Sequence, residues 1–256
     1  MTIAIAVCVS EGLVFAADSR TTRWMQSEEG KWLDVATDRA RKVFALSRKA
    51  GAVTHGRSQI NRQTIASLAD RFRCGRPADA PEDITVVLEE FTAFLRRAEE
   101  PAAKDASGDR PQDESTGFLI GGYGADGIGR LYELRLPGGE HQVLSTTEAP
   151  NYHWRGQGDA VARLMKGIDP RLDRAGLPAE AQEALTRLEY SVKLRNMSIE
   201  DAVEFAHLLG QVAMGIDHFT AGMLSGPARY PLVGGRLSTA VVTPDGFKWV
   251  NPPPVL

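Results

Sequence analysis

The chain reads as an α+β protein built on antiparallel strands, and three features of the sequence predict it. Short apolar runs come in neighbouring pairs joined by turn residues, which is the hairpin pattern. Stretches with apolar residues at helical spacing come in consecutive blocks instead of alternating with strands. Strands also open and close the sequence. Blocks arranged in this way bury their apolar faces when two sheets stack face to face with helices on the outside. The 256 residues are expected to form a single domain spanning 1–256.

The first eighteen residues set the pattern. Thr2 opens the apolar run Ile3 to Val9, Ser10-Glu11-Gly12 turns the chain, and a second run from Leu13 ends on Asp18. That is a hairpin with a hydroxyl at its free tip. Methionine before a small residue is usually trimmed, and trimming would place a hydroxyl and a free α-amine on Thr2. With a reference pKa near ~7.7–8.0 the amine can act as a base at neutral pH, and threonine with its own amine is an activated nucleophile.

Thr21 to Arg41, polar and carrying Trp24 and Trp32, reads as a loop or irregular hairpin. Lys42 to Leu46 is a short strand and Gly51 to His55 its antiparallel partner, closed by Gly56. Ile60, Thr64, Ile65, Leu68, Ala69 and Phe72 predict a helix over Ser58 to Phe72, and Ile84, Val87, Leu88, Phe91 and Leu95 a second over Asp83 to Arg97. Glu99 to Thr116 lacks core residues and is rich in Pro, Ala, Asp, Ser and Gly, so a flexible loop is expected at about 99–116. Strands follow at Gly117 to Tyr123, Arg130 to Leu134 and His141 to Leu144. Helical spacing resumes after Gly156-Gln157-Gly158, continues through Ala179 to Tyr190, and runs from Ile199 to about Met214 behind Ser198 as N-cap. Strands over Leu237 to Thr243 and Phe247 to Val250 end the chain.

Composition narrows the function classes. A net charge of −3 with scattered lysines offers no nucleic-acid or membrane face. No window reaches the ~18 apolar residues of a membrane span. The N-terminus lacks a basic region and Glu11 interrupts its apolar stretch, so it is no signal peptide; the protein is expected to be soluble and cytoplasmic. Cys8 lies in the first strand as a core residue, and neither it nor Cys74 has a partner at metal-ligand spacing. The histidines, His55, His141, His153, His207 and His218, show no ligand spacing, and most are read as surface or satisfied groups. No cofactor and no metal are expected. Gly122-Tyr123-Gly124-Ala125-Asp126-Gly127 fits a dinucleotide fingerprint, but Arg130 to Leu134 alternates like a strand, so the segment is a hairpin turn. Asn196-Met197-Ser198 fits a glycosylation acceptor with no meaning in the cytoplasm. Nucleophile-elbow, zinc-protease and P-loop motifs are absent.

Several features in one order resemble the proteasome β-subunits and their bacterial relatives, the HslV and Anbu peptidases, which are N-terminal-nucleophile hydrolases. They are Thr2, the strand Gly12 to Arg20, Lys42 before Val43-Phe44, Gly56 at a strand-to-helix turn, Phe118 to Tyr123 with Leu131 to Leu134, and Gly234-Gly235 before Ser238 to Thr243. The resemblance spans nearly the whole chain and implies a four-layer αββα sandwich. It also implies roles: Thr2 as nucleophile, Lys42 lowering the pKa of its hydroxyl, Asp18 holding Lys42 charged, and the Gly56 N–H at a helix N-terminus stabilising the oxyanion. Thr21 to Arg23 and Thr54 to Ser58 would flank the substrate and shape its first pocket. The partners implied are a peptide or unfolded-protein substrate and further copies of the chain in a ring or related assembly, and an unfolding ATPase is left open.

Three positions, in two places, depart from the family pattern. Gln157 stands where a serine is common, and Tyr230 and Val233 stand where an aspartate and a serine are common; Asp217 or Ser225 are candidate substitutes. The sequence therefore predicts a threonine peptidase subunit, with an inactive scaffold subunit or an amidase for small amides as alternatives.

Overall fold

The computed structural model describes residues 1–27, 30–99, 115–169, 176, 178–220 and 231–253. Two five-stranded antiparallel sheets lie at its centre. From edge to edge the first is β12 (Asn151–Gly156), β1 (Ile3–Val9), β2 (Gly12–Asp18), β13 (Leu237–Thr243) and β14 (Gly246–Asn251). The second is β11 (Glu140–Thr146), β10 (Gly129–Leu136), β9 (Thr116–Tyr123), β6 (Ala50–Gly56) and β5 (Val43–Ala45). Helices α1 (Ile65–Gly75) and α2 (Ile84–Glu99) cover the outer face of the second sheet, and α3 (Asp159–Lys166) and α5 (Ile199–Phe219) that of the first. A shorter α4 (Ala179–Thr186) lies between these two in the chain. The expected α+β class and four-layer order are what the chain adopts. No helix among the described residues is long and apolar enough to cross a membrane.

The period of two along each strand sorts side chains between layers. On β1, Ile3, Ile5, Val7 and Val9 face the helices, where Ala202, Ala206, Leu209 and Ala213 of α5 meet them. Ala4, Ala6 and Cys8 face the opposite sheet together with Leu13, Phe15 and Ala17 of β2. Burial pushes the Cys8 thiol up to about 11, so it behaves as a small core residue. Gly121 of β9 makes room for β2: a Cβ there would stand 2.9 Å from Leu13 Cδ2 and 3.0 Å from Phe15 Cζ. In the outer layer Phe91 packs between Phe72 and Phe118, with ring centroids 5.0 and 5.5 Å apart.

Local chemistry fixes the ends of the elements. Ser198 Oγ accepts from Asp201 N and the Asp201 carboxylate accepts from Ser198 N, a complete capping box at the start of α5. Glu11, in the β1–β2 turn, accepts from Ile199 N at 2.8 Å and ties that turn to the same helix. The turn after β9 closes by Gly124 N donating to Ile128 O, so the dinucleotide-like glycines do form a hairpin.

Of the two readings of Thr21 to Arg41, the irregular hairpin is the one that forms: β3 (Thr21–Ser27) and β4 (Gly30–Thr37) pair with a register shift between Thr21 and Thr22. Two expectations need correction. The helix expected from Ser58 begins only at Ile65, because Asn61 and Arg62 both adopt positive φ, 45° and 64°, and close a tight two-residue hairpin of β7 (Gln59–Ile60) and β8 (Gln63–Thr64). Thr64 then caps α1 by accepting from Ser67 N. Strand β12 is unanticipated, since Asn-Tyr-His-Trp-Arg-Gly alternates too weakly to be seen. The expected loop at 99–116 falls on residues 100–114, outside the described residues, and Thr116 already belongs to β9.

Phe15 is fully buried between the sheets. Phe15→Ala is expected to lower unfolding free energy by about 3–5 kcal/mol in urea titration, the range for an aromatic cavity in a closed core. A change below about 1 kcal/mol would mean that this layer is loosely packed.

Candidate active site

Thr2 sits just before β1 and is 5% exposed. Both neighbouring strands grip its backbone. On the β2 side the Asp18 carboxylate accepts from Ile3 N at 3.0 Å. On the β12 side Gln157 N donates to Thr2 O at 2.7 Å. That approach needs glycine at 156: its φ is +84° and a Cβ would stand 1.9 Å from Thr2 O. The role of Gln157 here is thus its backbone N–H.

Lys42 enters from the second sheet, immediately before β5. Its Nζ donates to Asp18 Oδ1 at 2.8 Å, to Arg20 O at 2.6 Å and to Met1 O at 3.3 Å. Thr2 Oγ donates to the same Met1 carbonyl at 2.8 Å. Ammonium and hydroxyl therefore converge on one oxygen, with a carboxylate behind the ammonium. The Met1 amine is exposed and donates to Thr22 Oγ at 2.9 Å. Burial pulls the Lys42 pKa below the usual lysine value, and the Asp18 charge and hydrogen bond oppose that fall.

Asp18 has no spare capacity. Its second oxygen accepts from Gly234 N at 3.1 Å and Arg20 N at 3.2 Å. The segment carrying Gly234 is pinned in turn: Asp217, buried near the end of α5, accepts from Leu232 N and from Val233 N, and Arg20 reaches Pro231 O while pairing with Asp38. Asp217 supports Asp18 through this backbone, and Val233 takes part only as an N–H donor. Tyr230 and Ser225 lie outside the described residues.

Gly56 ends β6 at φ +87°, where a Cβ would stand 2.0 Å from Ser115 O. Thr54 N donates to Lys42 O, and strand alternation turns the Gly56 N–H, two residues on, to that same edge. It lies at a strand end and not at a helix N-terminus as expected, because the β7–β8 hairpin intervenes before α1. The Thr54 hydroxyl is buried and donates to Gly117 O. Lys42 and Asp18 are thus in direct contact, the Thr2 hydroxyl meets Lys42 through the Met1 carbonyl, and Gly56 ends the strand that pairs beside Lys42.

No family model matches the chain, and neither does any curated protein. Solved structures do. One is a helical assembly of the Anbu complex from Pseudomonas aeruginosa, 20% identical over 97% of this chain and 86% of that one, with a TM-score of 0.59. The fold is that of Anbu. A second, an Anbu (Gly-1) mutant from Hyphomicrobium sp. strain MC1, is 16% identical over 98% and 85% of the two chains, at a TM-score of 0.57. Identity at this level carries the architecture alone, so chemistry on this Anbu fold has to be argued from its own residues.

Several residues near the site are ones the sequence did not single out. Gly156 and Arg155 come from the unforeseen strand. Glu133 stands at an inward position of β10, and a carboxylate inside the alternating run Leu131-Tyr132-Glu133-Leu134 was the available signal. His55 and His153 are neither surface nor satisfied histidines: each Nε2 is buried without a partner, and burial, aided by the Arg155 charge, pulls both pKa values down to about 4. A cavity of about 530 Å³ lies elsewhere on this Anbu fold, between β5, α1 and β14; Arg41, Arg73, Arg76, Phe247 and Trp249 line it, and Thr2, Asp18, Lys42 and Gly56 do not.

Lys42 and Asp18 side chains are 7% and 0% exposed, so removing one leaves the other charge buried and unpaired. Lys42→Met is expected to cost about 3–5 kcal/mol, and adding Asp18→Asn to recover part of that, both read by urea denaturation. Equal losses in the single and double variants would show that the pair is not coupled.

Proposed function

We propose that this chain is a threonine peptidase subunit that hydrolyses peptide bonds within a homo-oligomeric, proteasome-like assembly. The observation that carries the reading is the meeting of the Thr2 hydroxyl and the Lys42 ammonium at one carbonyl, backed by Asp18. Once residue 1 is removed, Thr2 gains a free α-amine beside its hydroxyl. Thr2 Oγ attacks the scissile carbonyl carbon while its proton passes through water to that amine. The Lys42 ammonium lowers the hydroxyl pKa, and the Gly56 N–H receives the oxyanion. Collapse breaks the C–N bond, the α-ammonium returns its proton to the leaving amine, and water then hydrolyses the threonyl ester. Residues of 21–23 and 54–58 flank the substrate strand and shape its first pocket.

Self-association is supported by the helical assembly of the Anbu structure with the same fold. It is also supported by α5, which leaves Leu208, Ile216 and Phe219 exposed, Phe219 by 85%.

The alternative with an observation behind it is a silent scaffold subunit. If Met1 is retained, its carbonyl takes up both the hydroxyl and the ammonium, and an acylated Thr2 nitrogen is no base. Intact mass separates the two: a chain short by one methionine supports the peptidase, and a full-length mass the scaffold.

Wild-type protein is expected to cleave a fluorogenic peptide and to take up a threonine-directed covalent inhibitor, and Thr2→Ala to do neither while assembling as before. Activity retained in Thr2→Ala would end the proposal. Because the Lys42 pKa is lowered by burial, the charged form is lost as pH rises through a value below the ordinary lysine value of 10.5. The alkaline limb of kcat/KM is therefore expected below that pH, and a profile flat beyond it would exclude the ammonium role.

A further inference from the structure

Thr2 and Asp18 stand on the first sheet, and Lys42 and Gly56 on the second. The chemistry proposed above therefore depends on how the two sheets are offset. The layer between them is apolar, with Ala4, Ala17, Val43 and Val53 at the Thr2 end. Their attraction is non-directional and fixes a separation better than an offset. Directional contacts set the register: at the end away from Thr2, Tyr123 Oη donates to Glu11 O at 3.2 Å and Phe247 N to Arg48 O at 2.8 Å. Among the ion pairs of the described residues, two join the sheets. One is Lys42–Asp18 itself.

The other is Glu133–Arg155. Glu133 of β10 is 2% exposed, and its Oε1 accepts from Arg155 Nε of β12 at 2.6 Å. Its Oε2 accepts from Arg135 Nη2 at 3.0 Å and Gln142 Nε2 at 3.1 Å. Burial pushes this carboxyl up, but the Arg155 and Arg135 donors win and hold it at about 2. None of its hydrogen bonds reaches Thr2, Asp18, Lys42 or Gly56. Its neighbours do. Arg155 pairs with Ala4 in the β1 ladder, and the next two residues, Gly156 and Gln157, are those that grip Thr2 O. On the second sheet, the ladder partner of Arg135 is Gly117, and Gly117 pairs with His55, the residue before Gly56. The His55 ring covers Gly117, where a Cβ would stand 2.2 Å from Nε2.

We propose that Glu133 is a positioning residue: by holding Arg155 across the seam it locks the offset of the sheets and keeps Thr2 opposite Lys42 and Gly56. This rests on the peptidase reading of Thr2. Losing the carboxylate leaves Arg155 and Arg135 without their buried counter-charge, and the end of β12 follows Arg155 towards water. The nucleophile then drifts while the substrate groove is untouched, so kcat falls and KM does not.

The test compares full-length wild type, Glu133→Gln, Glu133→Asp and a control, Cys8→Ala, which opens the same seam without touching the brace. Each is assayed for kcat and KM on a fluorogenic peptide, for the rate of labelling by a threonine-directed electrophile, and for urea stability. Glu133→Gln is expected to lose at least about tenfold in kcat and labelling at a KM unchanged within about twofold, since a misplacement near 1 Å costs up to about a hundredfold. Glu133→Asp recovers part of that loss, and Cys8→Ala loses stability but keeps its kcat. Wild-type kcat and labelling in Glu133→Gln overturn the proposal, as does an equal loss of kcat in Cys8→Ala. If Glu133→Gln does not fold, Glu133→Asp decides alone: lower kcat at the same KM supports the brace, and wild-type kcat overturns it. If wild type neither cleaves nor labels, the peptidase reading fails by itself. The brace is then read from the Lys42 ammonium resonance, which Glu133→Gln shifts and Cys8→Ala does not; an unshifted resonance overturns it.

Discussion

A lysine ammonium and an aspartate carboxylate face each other across the seam between two sheets, 2.8 Å apart and nearly out of water. Taking two charges out of water costs several kcal/mol per ion, and their attraction repays it only when the remaining donors and acceptors are satisfied. Here they are. Asp18 takes four donors, from Ile3, Arg20, Lys42 and Gly234, and Lys42 spreads its protons over Asp18, Arg20 O and Met1 O. The surrounding backbone is arranged to supply those partners, and Asp217 is committed to holding one of them in place. A hydrophobic pair of similar size would serve stability as well or better, so a structure this dependent on one buried pair points to use of the charge.

The use follows from position. The pair lies beside the first residues of β1, where in the proposed reaction the Thr2 hydroxyl would be the attacker and a freed α-amine its proton acceptor. Two glycines with positive φ, Gly56 and Gly156, stand exposed at strand ends. The first ends the strand beside Lys42, and the second brings Gln157 N to Thr2 O. A second pair, buried Glu133 with half-buried Arg155, crosses the same seam one residue from Gly156, so two ion pairs cross between the sheets at this end.

Much of this was legible in the sequence because it follows short-range rules. The β1–β2 hairpin, the antiparallel β5–β6 pair, the helix over 84–99 and the capped α5 each come from periodicity and turn chemistry within one segment. Thr2, Asp18 and Lys42 were found through family order, which encodes contacts across 16 to 40 residues that no local pattern contains. What stayed hidden has physical causes. Strand β12 is an edge strand with a half-exposed polar face, so it alternates weakly, yet it delivers Gly156 to Thr2. The β7–β8 turn puts Asn61 and Arg62 at positive φ, which asparagine announces and arginine does not. Glu133 and Arg155 sit 22 positions apart on different sheets, and only the stacking of those sheets makes them a pair.

At the centre of the proposed function is one chemical group, the amine that Thr2 would acquire on loss of residue 1. A nitrogen-resonance pH titration of the N-terminal amine of the natural protein addresses it directly. The expected result is an amine on Thr2 that titrates below the ordinary α-amino value of ~7.7–8.0, because the Lys42 charge and partial burial both disfavour its protonated form. A chain that still begins with Met1, or an amine titrating at or above that ordinary value, would contradict it.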